Sequence, residues 1–151
     1  MNEQSPALVE VSLKILLKNK NGEYLLLNAR DDNPNFRKKY DLPGGRMCTA
    51  ELNHGDFHQL IKREVKEEIG SVKYKLRLNP VSLSKFSLKT KFKPSRDGVL
   101  YILFEAEYQS GEIKISDEHI GYKWTKLNKG NIKKLFHPVL QSLIINYLDW
   151  N

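Results

Sequence analysis

Arg63-Glu64-Val65-Lys66-Glu67-Glu68-Ile69-Gly70 ends the stretch on which the reading of this chain turns. Phe57, Leu60, Ile61, Val65 and Ile69 recur at helical intervals, Asp56 stands in N-cap position, and Gly70 follows the last apolar residue. These signals predict a helix over 56–69. At about 100° per residue from Phe57, Ile61, Val65 and Ile69 fall at about 40°, 80° and 120°, with Glu68 at about 20°, Glu64 at about 340° and Glu67 at about 280°. Glu68 therefore lies inside the apolar sector and Glu64 on its edge. A solvated face would set them opposite, and like charges at i,i+3 and i,i+4 cost a helix about 0.2–0.5 kcal/mol each. Carboxylates crowded at the rim of a core need a counter-charge, which a hard divalent cation with oxygen ligands supplies. The competing reading is a surface helix whose glutamates only keep it soluble.

Upstream, Leu42-Pro43-Gly44-Gly45 forces a sharp bend and leaves backbone unshielded, so that amides or carbonyls can approach a metal or phosphate. Before it, Val9, Val11, Leu13 and Ile15 alternate with polar residues, predicting a strand with one buried face. Asn21-Gly22 turns the chain into a returning strand at Tyr24 to Leu27, and 31–40 read as a polar loop. Downstream, 72–88 and 98–108 read as strands, the second apolar on both faces and therefore central. Ile132, Leu135, Phe136, Val139, Leu140, Leu143, Ile144 and Tyr147 predict a C-terminal amphipathic helix interrupted by Pro138. Strands and helices mixed without repeat or linker give an α/β or α+β sandwich, read as a single domain over 1–151.

The 151 residues carry 25 Lys+Arg against 18 Asp+Glu, a net charge of +7, which favours anionic partners: nucleic acid, a membrane surface or phosphorylated small molecules. The single cysteine, Cys48, excludes an internal disulfide. No apolar run approaches the ~20 residues that span a bilayer, and the N-terminal residues alternate instead of forming a signal sequence, so the expected location is cytoplasmic with no membrane partner.

Leu42-Pro43-Gly44-Gly45 followed by Arg63-Glu64-Val65-Lys66-Glu67-Glu68-Ile69-Gly70 resembles the signature of the Nudix (MutT-like) hydrolase superfamily. That signature is a Gly, five residues, a Glu, seven residues, then Arg-Glu-apolar-x-Glu-Glu-x-Gly-apolar. The second half matches except for Ser71 in the last position. The first half departs from it. Gly45 and Glu51 keep the first spacing, but eleven residues separate Glu51 from Arg63, and counting back from Arg63 puts Gly55 where the glutamate belongs. The loop is four residues longer, and the first signature glutamate is either Glu51 or absent.

The resemblance implies an α/β/α sandwich with a mixed central sheet and a Mg²⁺-dependent hydrolase, with Mn²⁺ as a substitute, that cleaves a diphosphate linkage in a nucleoside diphosphate joined to another moiety. It implies Glu64, Glu67 and Glu68 as metal ligands, Gly44 as a backbone-carbonyl ligand, and Arg63 as the residue that orients the carboxylates. The catalytic base in relatives is a helix glutamate, here Glu67 or Glu64, or an acid on a later loop. Glu118, with Asp117 behind it, is the candidate there, against the bland reading of an exposed loop carboxylate. His119, His54 and His58 have the same bland alternative, the last two set against a zinc pair flanking the long loop.

Arg30, Arg37, Lys38, Lys39 and Arg46 surround the bend, and Lys85, Lys89, Lys91, Lys93 and Arg96 form a second basic group. Either group is a candidate holder of substrate phosphates, and the second competes with a solvated hairpin edge. Tyr40 and Phe36 are candidates for stacking on a nucleobase, and packing is their alternative. A phosphorylated small molecule, a nucleotide above all, is the expected partner. RNA, as in a decapping-type protein, and a non-catalytic Nudix-fold binding or regulatory module are the rival readings. The apolar first hairpin or the C-terminal helix would support a homodimer.

Overall fold

The computed structural model describes residues 4–30, 38–87 and 96–150. In chain order its elements are β1 (Val9–Lys18), β2 (Tyr24–Ala29), β3 (Tyr40–Asp41), β4 (Gly44–Arg46), α1 (Thr49–Asn53), α2 (Phe57–Ile69), β5 (Lys73–Leu76), β6 (Ser82–Ser87), β7 (Gly98–Ser110), β8 (His119–Thr125), α3 (Ile132–Leu135) and α4 (Pro138–Trp150). The strands form one mixed sheet of order β3-β2-β1-β7-β5, with β4 on β1, β6 on β7 and β8 on β2. β1 and β7 run parallel from Val9 beside Gly98 to Lys18 beside Glu107. The other strand pairings are antiparallel among the described residues, and an isolated parallel bridge joins Tyr40 to Phe136.

The sheet is covered on both sides, giving the α/β/α sandwich that the resemblance implies. Leu13, Ile15, Leu17, Leu25 and Leu27 pack against Leu60, Ile61, Val65 and Ile69 of α2. Leu16, Leu26, Val99, Tyr101 and Leu103 face α3 and α4 through Leu135, Val139, Leu140, Leu143 and Tyr147. β1 is consequently buried on both faces from Ser12 to Leu17, a correction to the one-faced strand its alternation predicts. Its polar residues tolerate this through local partners: the Lys14 ammonium lies 3.1 Å from Asp41 Oδ1 and donates to the Leu42 carbonyl at 3.2 Å.

Two further elements differ from expectation, and a third agrees with it. The stretch 72–88 is two strands, β5 and β6, both borne on β7 and separated around Pro80, which cannot donate to a ladder. The long loop before α2 contains a helix of its own, α1. Pro138 starts α4, where its missing N–H goes unused, and thereby divides the C-terminal helical pattern as predicted. No helix of the described residues is long and apolar enough to cross a membrane.

Candidate active site

Helix α2 begins on a capping box: Asp56 Oδ1 accepts the Gln59 N–H at 2.9 Å, and Gln59 Oε1 accepts the Asp56 N–H at 3.1 Å. Its core face carries Leu60, Ile61, Val65, Ile69 and, among them, Glu68 at 6% exposure. Phe57, the apolar origin of the wheel, is instead 44% exposed, with its ring 6.4 Å from that of Phe104. Strand β4 pairs with β1 and brings Gly44 and Gly45 onto the helix, where the Gly44 N–H donates to Glu68 Oε2 at 2.9 Å. The two glycines meet different neighbours. A Cβ on Gly44, whose φ is +138°, would stand 1.9 Å from the Leu13 carbonyl oxygen, whereas one on Gly45 would stand 2.5 Å from the Glu64 carboxylate carbon.

Arg63 gathers the remaining carboxylates. Its Nη1 donates to both oxygens of Glu67 at 3.0 and 3.1 Å, and its Nη2 donates to Glu64 Oε1 at 2.8 Å and to Glu51 Oε2 at 2.7 Å. Glu51, one of the two readings of the first signature position, is in contact with Arg63. Helix α1 folds the four extra residues so that Glu51 returns to Arg63, while its Oε1 caps the Cys48 N–H at 3.0 Å. Burial opposes the Glu51 charge, but the Cys48 and Arg63 hydrogen bonds outweigh it and hold the carboxyl below its usual range. The Arg63 guanidinium is pushed up, first by its bond to Glu51.

Beside the helix is a cleft of about 510 Å³ lined by Ala29, Arg30, Asp41, Glu68, Asp117, Glu118 and His119. The segment before β8 is fastened to the last turn of α2: the Lys114 N–H donates to the Ile69 carbonyl at 2.9 Å, and the Ser116 N–H to the Glu68 carbonyl at 3.1 Å. Arg30 closes the other wall through a 3.0 Å bond from Nη1 to the Asp117 carbonyl. Burial pushes the Glu68 carboxyl up to about 8, against the pull of Lys14 and the Gly44 amide. Glu64 is raised by burial too, despite Arg63. His119 is lowered, mainly by burial. An all-oxygen set pressed against glycines with no room for a side chain, with two members driven toward protonation, fits a hard divalent cation.

The structure thus places Glu64, Glu67, Glu68, Gly44 and Arg63 together and sets Glu118 across from Glu68. Arg30 lines the cleft, but Arg46 and Tyr40 do not. Arg46 is paired with Glu10 of β1, and the Tyr40 ring carries the Lys123 ammonium 4.5 Å from its centroid. His58 lies against Phe104, with Nε2 3.0 Å from the Leu78 carbonyl, while His54 is the exposed C-cap of α1, so the two do not form a zinc pair. Arg37, Phe36, Lys89, Lys91 and Lys93 lie outside the described residues. Sequence reasoning passed over Lys14 and Asp41 as site residues. The signal was a lysine in the alternation of a strand that turns out to be covered on both sides.

Residues 10–144 match the NUDIX domain. The nucleoside triphosphatase NudI of Escherichia coli is 29% identical over 111 residues, 70% of this chain and 74% of that protein. Among solved structures, the MutT protein from Methanosarcina mazei Go1 superposes with a TM-score of 0.73 at 23% identity, covering 98% of this chain and 99% of that one. A C. elegans Ap4A hydrolase gives 0.63 at 21% identity, covering 94% and 97%. The helix with its three glutamates, the two glycines against it and the match over residues 10–144 place this chain in the Nudix family, as a hydrolase of phosphorus-containing acid anhydrides.

Proposed function

We propose that this chain is a Mg²⁺-dependent pyrophosphohydrolase, with Mn²⁺ as a substitute, that cleaves a diphosphate linkage in a nucleotide. The observation that carries the reading is the seat of Glu64 against Gly45, where any Cβ would displace the carboxylate. In this reading Glu64, Glu67 and Glu68 hold the metal, together with the Gly44 carbonyl. When bound, the dication supplies positive charge against the diphosphate oxygens. Arg63 keeps the carboxylates aligned, Arg30 contacts a phosphate at the cleft wall, and Glu67 or Glu118 takes the proton of the attacking water at a carboxylate oxygen.

The acid-lined cleft supports the dependence on metal, since an unaccompanied diphosphate would meet Asp41, Glu68, Asp117 and Glu118. The contact of Glu51 with Arg63 favours hydrolysis over a module that has lost it, because the longer loop leaves that link in place. Nucleoside triphosphates are the first substrates to test, given the activity named for the NudI relative. The protein is incubated with Mg²⁺ and a panel of nucleoside triphosphates and nucleoside diphosphates linked to sugars or nucleosides, then as the Glu67→Gln, Glu68→Gln double variant. Turnover of one class by the wild type and its loss in the double variant are expected. A panel without turnover, or a double variant with full activity, refutes the reading.

A further inference from the structure

Beside the motif residue Glu68 the cleft also brings together ligand atoms from the segment leading into β8. Glu68, Glu118 and His119 each offer one, and the three lie within 4.8 Å of one another, the one such set of His, Cys, Asp or Glu among the described residues. His119 is 9% exposed, and its Nδ1 is buried without a hydrogen-bond partner. Leaving a buried polar atom unpaired costs on the order of 1–3 kcal/mol, and an ion or an ordered water beside Glu68 and Glu118 would offset that cost. The set is also rigidly built. The Ser116 N–H holds the Glu68 carbonyl, the His119 N–H returns to the Ser116 carbonyl at 3.2 Å, and Arg30 holds the Asp117 carbonyl. Ligands of one ion stand no more than about twice a metal–ligand bond apart, roughly 4.4 Å for bonds of about 2.2 Å. A small side-chain rotation therefore closes the set.

We propose that Glu68, Glu118 and His119 form a mixed oxygen–nitrogen site selective for a first-row transition-metal dication of the Co²⁺, Cu²⁺ and Zn²⁺ class over Mg²⁺. Imidazole nitrogen suits those ions, whereas Mg²⁺ takes oxygen in a strict octahedron and keeps much of its water. The site shares Glu68 with the helix cluster, and its part in hydrolysis rests on the pyrophosphohydrolase reading. With Glu118 as a ligand, proton removal passes to Glu67.

The test is titration of the metal-free protein with Co²⁺, followed by visible absorption, and with Mg²⁺, followed by calorimetry, for the wild type, His119→Gln and Glu118→Gln. Co²⁺ affinity should fall about 10- to 100-fold in each variant, the range seen when groups around a metal are removed, while His119→Gln leaves Mg²⁺ affinity unchanged. Pulsed electron paramagnetic resonance of wild-type protein loaded with one equivalent of Cu²⁺ needs no variant and should show coupling to an imidazole ¹⁴N. Absence of that coupling, or variants with unaltered Co²⁺ affinity and thermal midpoint, overturns the proposal. Binding that depends on His119 in a protein that hydrolyses nothing in the panel would sink the hydrolase reading and leave this site standing. Hydrolysis with Co²⁺ binding indifferent to His119 would do the reverse.

Discussion

Gly45→Ala and Gly44→Ala should separate catalysis from folding. A Cβ at Gly45 would lie 2.5 Å from Cδ and Oε2 of Glu64 and 2.6 Å from Oε1, while ordinary contact begins at 3.4 Å. The Glu64 carboxylate must therefore retreat by the difference, 3.4 − 2.5 = 0.9 Å. It sits at the end of a side chain with rotatable bonds, and the Gly45 backbone is outside the left-handed region, so the loss of stability should stay below about 1 kcal/mol. A ligand displaced by about 1 Å can lower the rate by about 100-fold, equivalent to about 2.7 kcal/mol of barrier. At Gly44 the obstacles are the Leu13 carbonyl oxygen at 1.9 Å and Lys14 Cα at 2.8 Å, both backbone, and φ is +138°. No rotamer relieves that clash, so alanine must open the pairing of β4 with β1 and destabilise by several kcal/mol, on the order of 3 or more. The assays are kcat/KM on the best substrate of the panel and the urea midpoint. The reasoning fails if Gly45→Ala keeps wild-type kcat/KM, or if Gly44→Ala unfolds at the wild-type midpoint.

Arg63→Ala removes the link among Glu51, Glu64 and Glu67. At 42% side-chain exposure its stability effect should be under about 1 kcal/mol, while divalent-ion affinity by calorimetry drops about 10-fold or more; unchanged affinity would refute its orienting role. The Glu68 carboxyl, raised in the folded chain from 4.5 to about 8, stabilises the metal-free protein fully below pH 4.5 and loses that contribution as pH rises through about 8. The thermal midpoint in EDTA should accordingly fall over that window, and Glu68→Gln should flatten the fall; parallel profiles would contradict the assignment. Tyr147→Phe deprives buried Glu105 of a 2.8 Å hydrogen bond and should cost about 1–3 kcal/mol by urea unfolding, whereas an unchanged midpoint would show that Arg77, whose Nε lies 3.6 Å from Glu105 Oε2, satisfies Glu105 alone.

The helix and its chemistry were legible because a charge inside an apolar sector breaks the pattern a solvated face would follow, and Glu68 is where that breach occurs. Pairings between distant segments were not legible. Nothing local in Val9 to Lys18 announces that β7 runs parallel beside it, nor that α4 covers the face bearing Ser12 and Lys14, so a polar alternation looks solvent-facing when it is buried. The insertion before α2 was opaque for a related reason. Linear spacing counts residues, whereas α1 shortens the path, so that Glu51 meets Arg63 despite the four additional positions. His119 is another case. In the sequence it belongs to a polar loop, and its pairing with Ala29 of β2, together with the hydrogen bonds from Lys114 and Ser116 to the end of α2, carries it into the cleft.

The net charge of +7 suggests basic loops turned toward the acidic helix, and the described cleft does not have that arrangement. Lys14 is held by Asp41, Arg46 by Glu10, and Lys39 by the Lys133 and Lys134 carbonyls, which leaves Arg30 as the one Lys or Arg lining the cleft among the described residues. Opposite it stand Asp41, Glu68, Asp117 and Glu118. Two like charges about 4 Å apart repel by about 1 kcal/mol in water and about 4 kcal/mol at an effective dielectric constant of about 20. With Asp41 paired to Lys14 and the Glu68 carboxyl raised by burial, repulsion of a bare diphosphate falls mainly to Asp117 and Glu118. On the proposed reading a bound cation supplies the positive charge that admits the substrate, and linkage makes the coupling reciprocal: a dication strengthens substrate binding by the same factor by which the substrate strengthens dication binding.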